Sequence, residues 1–503
     1  MNQTKIVFSI IDPSKSYQFI DNGNPKSGAM KDVYFSPDKT YIVGIYKKHQ
    51  DNNSIERLKK IVTQYYNSMF NNELSDYYKS LFCWPTDVIQ YEGKIGLIAP
   101  FYHRNFFFQK GYANNDLIKG NEKQGLWFAQ SKFRNKTFPL CLDSSELGDW
   151  LSYFQIALNI IRGVKRLHSC GLAHSDLSYK NILIDPLTKT AVIIDIDGLV
   201  VPGLFPPDVL GTKGFIAPEV LATKNLNKDD PNRKLPNRYT DLHALAVMIY
   251  RYLLYRHPLE GSKVHDLDPE IDDTLSFGEN ALFIEHPLDH SNKPKIEDLD
   301  KRGLPWTDCN SIPYTITGPY LTELFNKSFI EGLKNPQSRP VANDWEQAIL
   351  KTTDLLQPCA NKMCQQKWYV FENTNKPKCP FCGTLHEGTL PILDLYYQFE
   401  PGVWKPENHR LMVYNNQYLF PWHVNRNIVR NEQLAAEFKK PVGYFTFYHN
   451  KWVLVNQKLE SLYDATEKKE IPIGSMIELQ PDKKILLSKD DGGRLIFITF
   501  ANI

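Results

Sequence analysis

An aspartate, Asp176, and an asparagine, Asn181, stand five residues apart in the stretch HSDLSYKNIL at 174–183. An apolar run begins at Asn181, and a second one, AVIIDIDG, carries Asp195 fourteen residues further on. An acid, a carboxamide and a second acid at these spacings suit metal-assisted phosphoryl transfer. The first acid orients a hydroxyl, while the amide and the second acid hold Mg²⁺ against triphosphate oxygens. Asp195 is the better Mg²⁺ ligand because it ends the apolar strand, and Asp197 is a second acid that assists. A polar turn between two buried strands would carry the same residue types, so the reading depends on what lies on either side.

Such chemistry needs a turn that cradles phosphate, a lysine for the α- and β-phosphates, and an acid to position that lysine. Residues 5–48 read as strands around a glycine-bearing turn. At Gly28 a backbone N–H can approach a phosphate that a Cβ would keep away, although an ordinary hairpin looks the same. The strand YIVGIY at 41–46 ends in Lys47 and Lys48. Adjacent strand residues face opposite ways, so only one serves: Lys47 is the first choice and Lys48 the alternative. Ser54 can cap a helix with apolar Ile55, Leu58, Ile61, Val62 and Tyr65. Glu56 in its first turn, or Glu73, is the candidate partner of the lysine. A strand pair follows at 87–90 and 95–102, and Pro100, which lacks a backbone donor, stops the second strand. A nucleotide enzyme would join its lobes here, with the backbone of Ala99 and Phe101 at the adenine.

Residues 103–145 interleave aromatic and basic side chains. That pattern suits nucleic acid, but an inserted subdomain packed on the core is the simpler expectation. Helical periodicity returns at 151–168, Gly171 stops it, and the chain enters the loop at His174.

The order of motifs beyond that loop resembles the C-lobe of protein kinases. HxDxxxxN is followed by an aspartate near a D-x-G triplet, then by GTKGFIAPE, TDLHALA at 240–246, and Arg339-Pro340. The resemblance implies that Asp176 is the catalytic base and that Asn181 and Asp195 are Mg²⁺ ligands. It implies that Thr212 braces the base and the substrate hydroxyl. Glu219 and Arg339 would form a structural ion pair, and Asp241 would tie down the loop backbone. Departures are plain. Ser175 stands where arginine is usual, so switching by an activation-loop phosphate is not expected. Ser178 stands where a lysine usually touches the γ-phosphate, and Lys180 is expected to face elsewhere. Over nearly the whole chain, strings such as LAHSDLSYKNILIDP, IIDIDGLVVPG and FIEHPLDHSNKP resemble a bacterial kinase-like family. That family is encoded with a TerY-type von Willebrand domain protein and a PP2C phosphatase, and is linked to tellurite resistance. The resemblance implies these proteins as partners, beside a protein substrate, in a cytoplasmic stress-signalling or phage-defence module.

Bulk composition sets outer limits. The chain has 503 residues, 42% hydrophobic and 23% charged, with net charge +2. It is long enough for several domains and a large core, and its charge as a whole does not advertise nucleic acid, which local patches still leave open. The N-terminus does not read as a signal peptide, and the longest apolar run, at 242–255, is too short for a bilayer. Four of the eight cysteines cluster as Cys359, Cys364, Cys379 and Cys382, a spacing that reads as a closed, structural zinc ribbon. His386 is a minor alternative ligand. From about 395 the alternation is that of a β-sandwich, and W-x-L-x-N followed by I-P-x-G-S-x-I-x-L resembles the second half of a forkhead-associated domain. Such domains bind phosphothreonine, but only Asn425-Arg426 stands in for their binding element, so a docking or dimer surface is expected.

The resulting expectation is an α+β, two-lobed, protein-kinase-like fold followed by a zinc ribbon and an all-β sandwich. Its parts are an N-lobe at 1–102, a C-lobe at 103–355 with an insertion at 103–145, the ribbon at 356–390 and the sandwich at 395–503. ATP, Mg²⁺ and structural Zn²⁺ are the expected cofactors. The expected activity is transfer of phosphate to Ser or Thr hydroxyls. The alternatives are a kinase-fold scaffold acting through its tail, and a kinase fold that transfers AMP or phosphorylates a small molecule.

Overall fold

The computed structural model describes residues 3–28, 30–201, 204–205, 211–227, 230–373 and 375–501. They divide into two compact units: Met1–Gly148 with Ser152–Tyr314 and Glu323–Glu346, and Asp149–Leu151 with Thr315–Thr322 and Gln347–Ile503.

The first unit has a two-lobed, kinase-like fold. Its N-terminal lobe is a seven-stranded antiparallel sheet in the order Ser16–Asp21, Gln3–Ser9, Asp87–Tyr91, Lys94–Pro100, Tyr41–Tyr46, Lys31–Phe35, Lys26–Ser27. Alternation places Val7, Phe19, Val43, Ile45, Ile89 and Ile98 in one core cluster. A helix at Asn52–Lys60 runs on through a π-helical turn, Ile61–Tyr65, to Tyr66–Phe70. Its cap is Asp51, which accepts from the Ser54 amide at 2.7 Å, so Ser54 lies inside the first turn and is not the cap.

The second lobe is mainly helical. Helix Trp150–Ser169 leads into the catalytic stretch, which is followed by the hairpin Ile182–Asp185 and Thr190–Ile193. Helix Arg238–Leu254 starts with a capping box, Asn237 with Thr240, and every residue from Thr240 to Leu254 is buried. A helix buried on all sides needs no polar stripe, which is why its run of apolar residues is nearly continuous. Residues 103–145 pack as short 3₁₀ turns around Phe108, Tyr112, Trp127, Phe128 and Phe133. The basic residues there are partly internal: Lys123 is buried against Glu146 and Asp185 at 2.9 Å each, and Arg134 lies over the Tyr153 and Tyr255 rings.

The second unit holds a six-stranded and a four-stranded antiparallel sheet. One apolar cluster draws on both, with Leu393 and Ile496 from the first and Phe445 and Leu454 from the second. Cys364 and Cys379 belong to the same cluster, so the cysteine segment shares a core with the β-rich part. The expected division into separate ribbon and sandwich therefore gives way to one unit that starts near Gln347. A ribbon of this length has too little apolar surface for a core of its own. Among the described residues no helix is long and apolar enough to cross a membrane.

Candidate active site

A cleft of about 590 Å³ in the first unit is lined by both lobes, and Asp176, Asn181, Asp195, Gly28 and Ala99 all face it. The catalytic stretch is held from beneath. Asp241, buried in helix Arg238–Leu254, accepts from the amides of His174 at 2.8 Å and Ser175 at 3.2 Å. His174 in turn contacts the Ile194 carbonyl at 3.0 Å. Ser175, at a left-handed φ of 67°, donates its hydroxyl to the Gly198 carbonyl at 3.2 Å. A short hydroxyl thus ties the loop to the D-x-D-G turn from the position where a kinase usually carries arginine.

The amide group of Asn181 is already committed on one side. Its Nδ2 donates to the Asp176 carbonyl at 2.8 Å and to Asp176 Oδ2 at 3.0 Å, which leaves the amide oxygen as its free ligand atom. Asp176 Oδ1 is buried and has no hydrogen-bond partner among the described residues. An acceptor kept in this state is costly unless something donates to it, such as a hydroxyl that arrives with a substrate.

Asp195 sits at the turn after the strand with φ 61° and ψ 47°. This left-handed geometry costs a non-glycine residue about 1–2 kcal/mol, a strain typical of functional turns. Asp197, two residues on, is buried while the Asp195 carboxylate is half exposed. The two acids share one cation, Lys31, whose Nζ lies 2.7 and 2.8 Å from the Asp197 oxygens and 3.4 Å from Asp195. The Tyr46 hydroxyl also donates to Asp197. Burial opposes charge on Asp197, but Lys31 and the Tyr46 hydrogen bond outweigh it and hold the carboxyl down at about 2. Asp195 moves the other way, raised by burial and by the neighbouring Asp197 charge. Burial disfavours the Lys31 charge too, yet the two carboxylates keep its ammonium form favoured overall.

Lys31 is the residue the sequence reading missed. Lys47, the lysine expected here, is not brought to the acids: its Nζ bonds Ser27 Oγ and the Gly28 carbonyl, both at 2.6 Å, and lies 3.6 Å from Asp32. The reason is strand phase. Lys31 and Tyr46 are direct cross-strand partners, so they share the cleft face, and Lys47 lies one residue beyond. The Lys31 stem passes beside Gly44, two residues before Tyr46. Counting back across the hairpin from the turn at 37–40, which Ser36 and Tyr41 close, pairs 31 with 46, and that register was the available signal. Lys48 also lies past the strand end and does not line the cleft.

Other expected positions differ as well. Glu56 and Glu73 are exposed, and the helix side chain that lines the cleft is the buried Arg57. The acid that partners the lysine comes from Asp197, not from the helix. Phe101 does not line the cleft: its amide donates to Thr40 at 3.1 Å and its ring stacks on Phe107, while Tyr102 faces inward. Lys180 does face the cleft. Thr212 lines a small cavity together with Asp176, and among the described residues no hydrogen bond joins their side chains. Part of the expected activation segment, 202–203 and 206–210, lies outside the described residues, as does Ala29 in the turn. Beyond that gap, Arg339 bonds both Glu219 oxygens, at 2.8 and 2.7 Å.

In the second unit, the sulfurs of Cys359, Cys364, Cys379 and Cys382 lie within 4.8 Å of one another, with Cys359 to Cys382 at 3.5 Å and Cys364 to Cys379 at 4.0 Å. Four thiolates at about 2.3 Å from a tetrahedral zinc would be about 3.8 Å apart, so the set fits the ion. His386 is not part of the set.

In comparison with known proteins, the family model for the protein kinase domain matches residues 142–343. The honeybee dual serine/threonine and tyrosine protein kinase is 36% identical over 73 residues, 14% of this chain and 7% of that protein. The serine/threonine-protein kinase ppk21 of Schizosaccharomyces pombe is 29% identical over 124 residues, 23% of this chain and 21% of that protein. The chain thus spans about a fifth of the length of these relatives at most. A solved structure described as the Toxoplasma gondii specific rhoptry antigen kinase domain aligns with TM-score 0.40 and 14% identity, over 69% of this chain and 86% of that one.

Proposed function

We propose that this protein is an ATP- and Mg²⁺-dependent protein kinase that phosphorylates Ser or Thr hydroxyls. The observation that carries the reading is Asp176 Oδ1, buried and unbonded beside Asn181 in the cleft that also holds Asp195 and Lys31. ATP supplies the phosphoryl group, and Mg²⁺ neutralises charge on its oxygens. The Asn181 amide oxygen and the exposed edge of Asp195 are the ligand atoms for the metal. Lys31, oriented by Asp197 and Tyr46, offers its ammonium to phosphate oxygens, and Lys180 adds a second cation at the substrate end. Asp176 accepts the proton of the attacking hydroxyl. Asn181, by holding Oδ2, leaves Oδ1 as the atom that receives it.

The test is incubation of the chain with Mg²⁺ and γ-labelled ATP, with and without Asp176→Ala, followed by phosphosite mapping on the chain and on added proteins. Label on Ser or Thr that disappears in the variant supports the kinase. Absence of label from both proteins favours a scaffold acting through its tail, and labelled AMP would point to nucleotidyl transfer.

Finer assignments rest on the resemblance of the sequence strings. They are a cytoplasmic stress or phage-defence module, with the TerY-type protein and the PP2C phosphatase as partners. The four clustered thiols support a structural zinc in a reducing compartment. In the β-rich part, Arg426 and Arg494 both pair with Glu407, which supports a docking role over phosphothreonine reading.

A further inference from the structure

Beside the catalytic stretch lies a second cavity of about 600 Å³. It shares Lys180 with the nucleotide cleft and Thr212 with the small cavity at Asp176. Arg251, from the buried helix Arg238–Leu254, lines it and is only 7% exposed. Two other buried arginines of this lobe have acids, Arg339 with Glu219 and Arg256 with Glu285, while Arg134 lies between aromatic rings outside this cavity. Arg251 has none within ion-pair distance among the described residues, although the Glu260 charge on the rim acts on it. Its guanidinium lies over the Tyr179 and Phe215 rings at 4.8 and 5.8 Å, and its buried Nε has no hydrogen-bond partner among the described residues. Two aromatic faces hold it flat without satisfying its donors. Burial weakens its hold on the proton, but a guanidinium stays charged at any physiological pH.

The rim carries both signs. Lys132, Lys180 and Lys213 face Glu260, Asp298 and Asp300. Lys213 is taken by Asp273 and Asp300 by Arg302. Glu260 and Asp298 are exposed, so water and salt screen them, whereas Arg251 acts from a buried position where screening is weak. The unmet donor at the bottom of the cavity therefore sets its preference.

We propose that this cavity receives an anionic side chain of the protein substrate, so that the enzyme selects acidic or already phosphorylated segments next to the hydroxyl it modifies. The proposal rests on the kinase reading above. It follows from continuity: a chain that brings a hydroxyl to Asp176 passes Thr212 and Lys180, and both open onto Arg251. A carboxylate or a phosphate would each complete the planar fork of donors.

The experiment uses the full chain, Mg²⁺ and ATP, and a Ser/Thr peptide library. Each flanking position is set in turn to Asp or Glu, phosphoserine, a neutral residue, or Lys or Arg. The expected result is a kcat/KM at least about tenfold higher with an anion at one position, carried by KM and weakened by salt. The Asp/Glu and phosphoserine arms say which anion is preferred. Arg251→Gln should bring the acidic-to-neutral ratio close to one, and Arg251→Glu should turn it toward Lys or Arg. Should either variant unfold by circular dichroism, Arg251→Lys replaces it, keeping the preference for carboxylates while losing most of any preference for phosphoserine, which needs the fork. Peptides phosphorylated without acidic preference, or a preference untouched in the variants, overturn the proposal and leave the kinase reading intact. If no peptide is phosphorylated, anisotropy of a fluorescein-labelled Asp/Glu-rich serine peptide decides. Saturable binding lost in Arg251→Gln supports the pocket, and no binding overturns it.

Discussion

Lys31 shows how a requirement for charge at one point in space is met by an unexpected position in the chain. A cation must reach the phosphates, and an acid must hold it. In the proposed reading the strand after the turn supplies the cation, and Asp197, 2.7 Å from it, supplies the acid. Activity in a γ-phosphate transfer assay should fall by about 10²-fold or more in Lys31→Met, the scale of losing one preorganised charge contact. Lys47→Met should lose far less, and equal losses would refute the assignment. The acids themselves were legible because HxDxxxxN and the following D-x-D are local in sequence. The lysine was not, because its position depends on cross-strand register. Two adjacent lysines at a strand end drew the reading one residue past the cleft face.

At the scale of elements, the site is held by contacts that link distant turns. Asp241 fixes the loop at His174 and Ser175, Arg339 fixes Glu219, and His257 fixes the turn that begins at Gly211. The His257 ring contacts the Gly214 carbonyl at 2.8 Å through Nε2 and accepts from the Leu259 amide at Nδ1. That pair of bonds needs the neutral ring with its proton on Nε2. Burial pushes the ring down to about 4. The unfolded chain binds the proton near pH 6.5, so its stability contribution is complete above that value and erodes as pH falls toward 4. The slope approaches about 1.4 kcal/mol per pH unit, for a total on the order of 3 kcal/mol. Urea midpoints at pH 7 and pH 5 should show this loss in the wild type and a shallower one in His257→Gln. A wild type with equal stability at both values would contradict it. Helical periodicity at 151–168 gave the first of these helices away in advance, and the near-continuous apolar run at 242–255 marked the buried one. Asp51 was missed as a cap because Ser54 lies closer to the first apolar residue.

For the whole molecule, the sequence reading drew a boundary between the cysteine segment and the β-rich part, where the structure has one unit. Cys364 and Cys379 lie in the same core cluster as the β-rich strands. The cysteine spacing was readable because metal ligands are local, whereas shared packing depends on long-range contacts that spacing does not encode. Metal analysis should find about one zinc per chain. Stripping it with a strong chelator, or replacing Cys379 by Ser, should lower the melting temperature on the order of 10 °C, because the ligands are part of the core. An unchanged melting curve after verified removal of the metal would show that the thiols stand without it.

Tyr46 occupies the cleft-facing end of the strand at which the sequence reading sought a lysine, and its cross-strand neighbour carries the charge. A classifier that scores chains by the identity of that one residue would file this protein among the pseudokinases. Surveys of catalytic competence across genomes therefore gain from asking whether any ammonium can reach the metal-binding acids, rather than which column of an alignment holds a lysine.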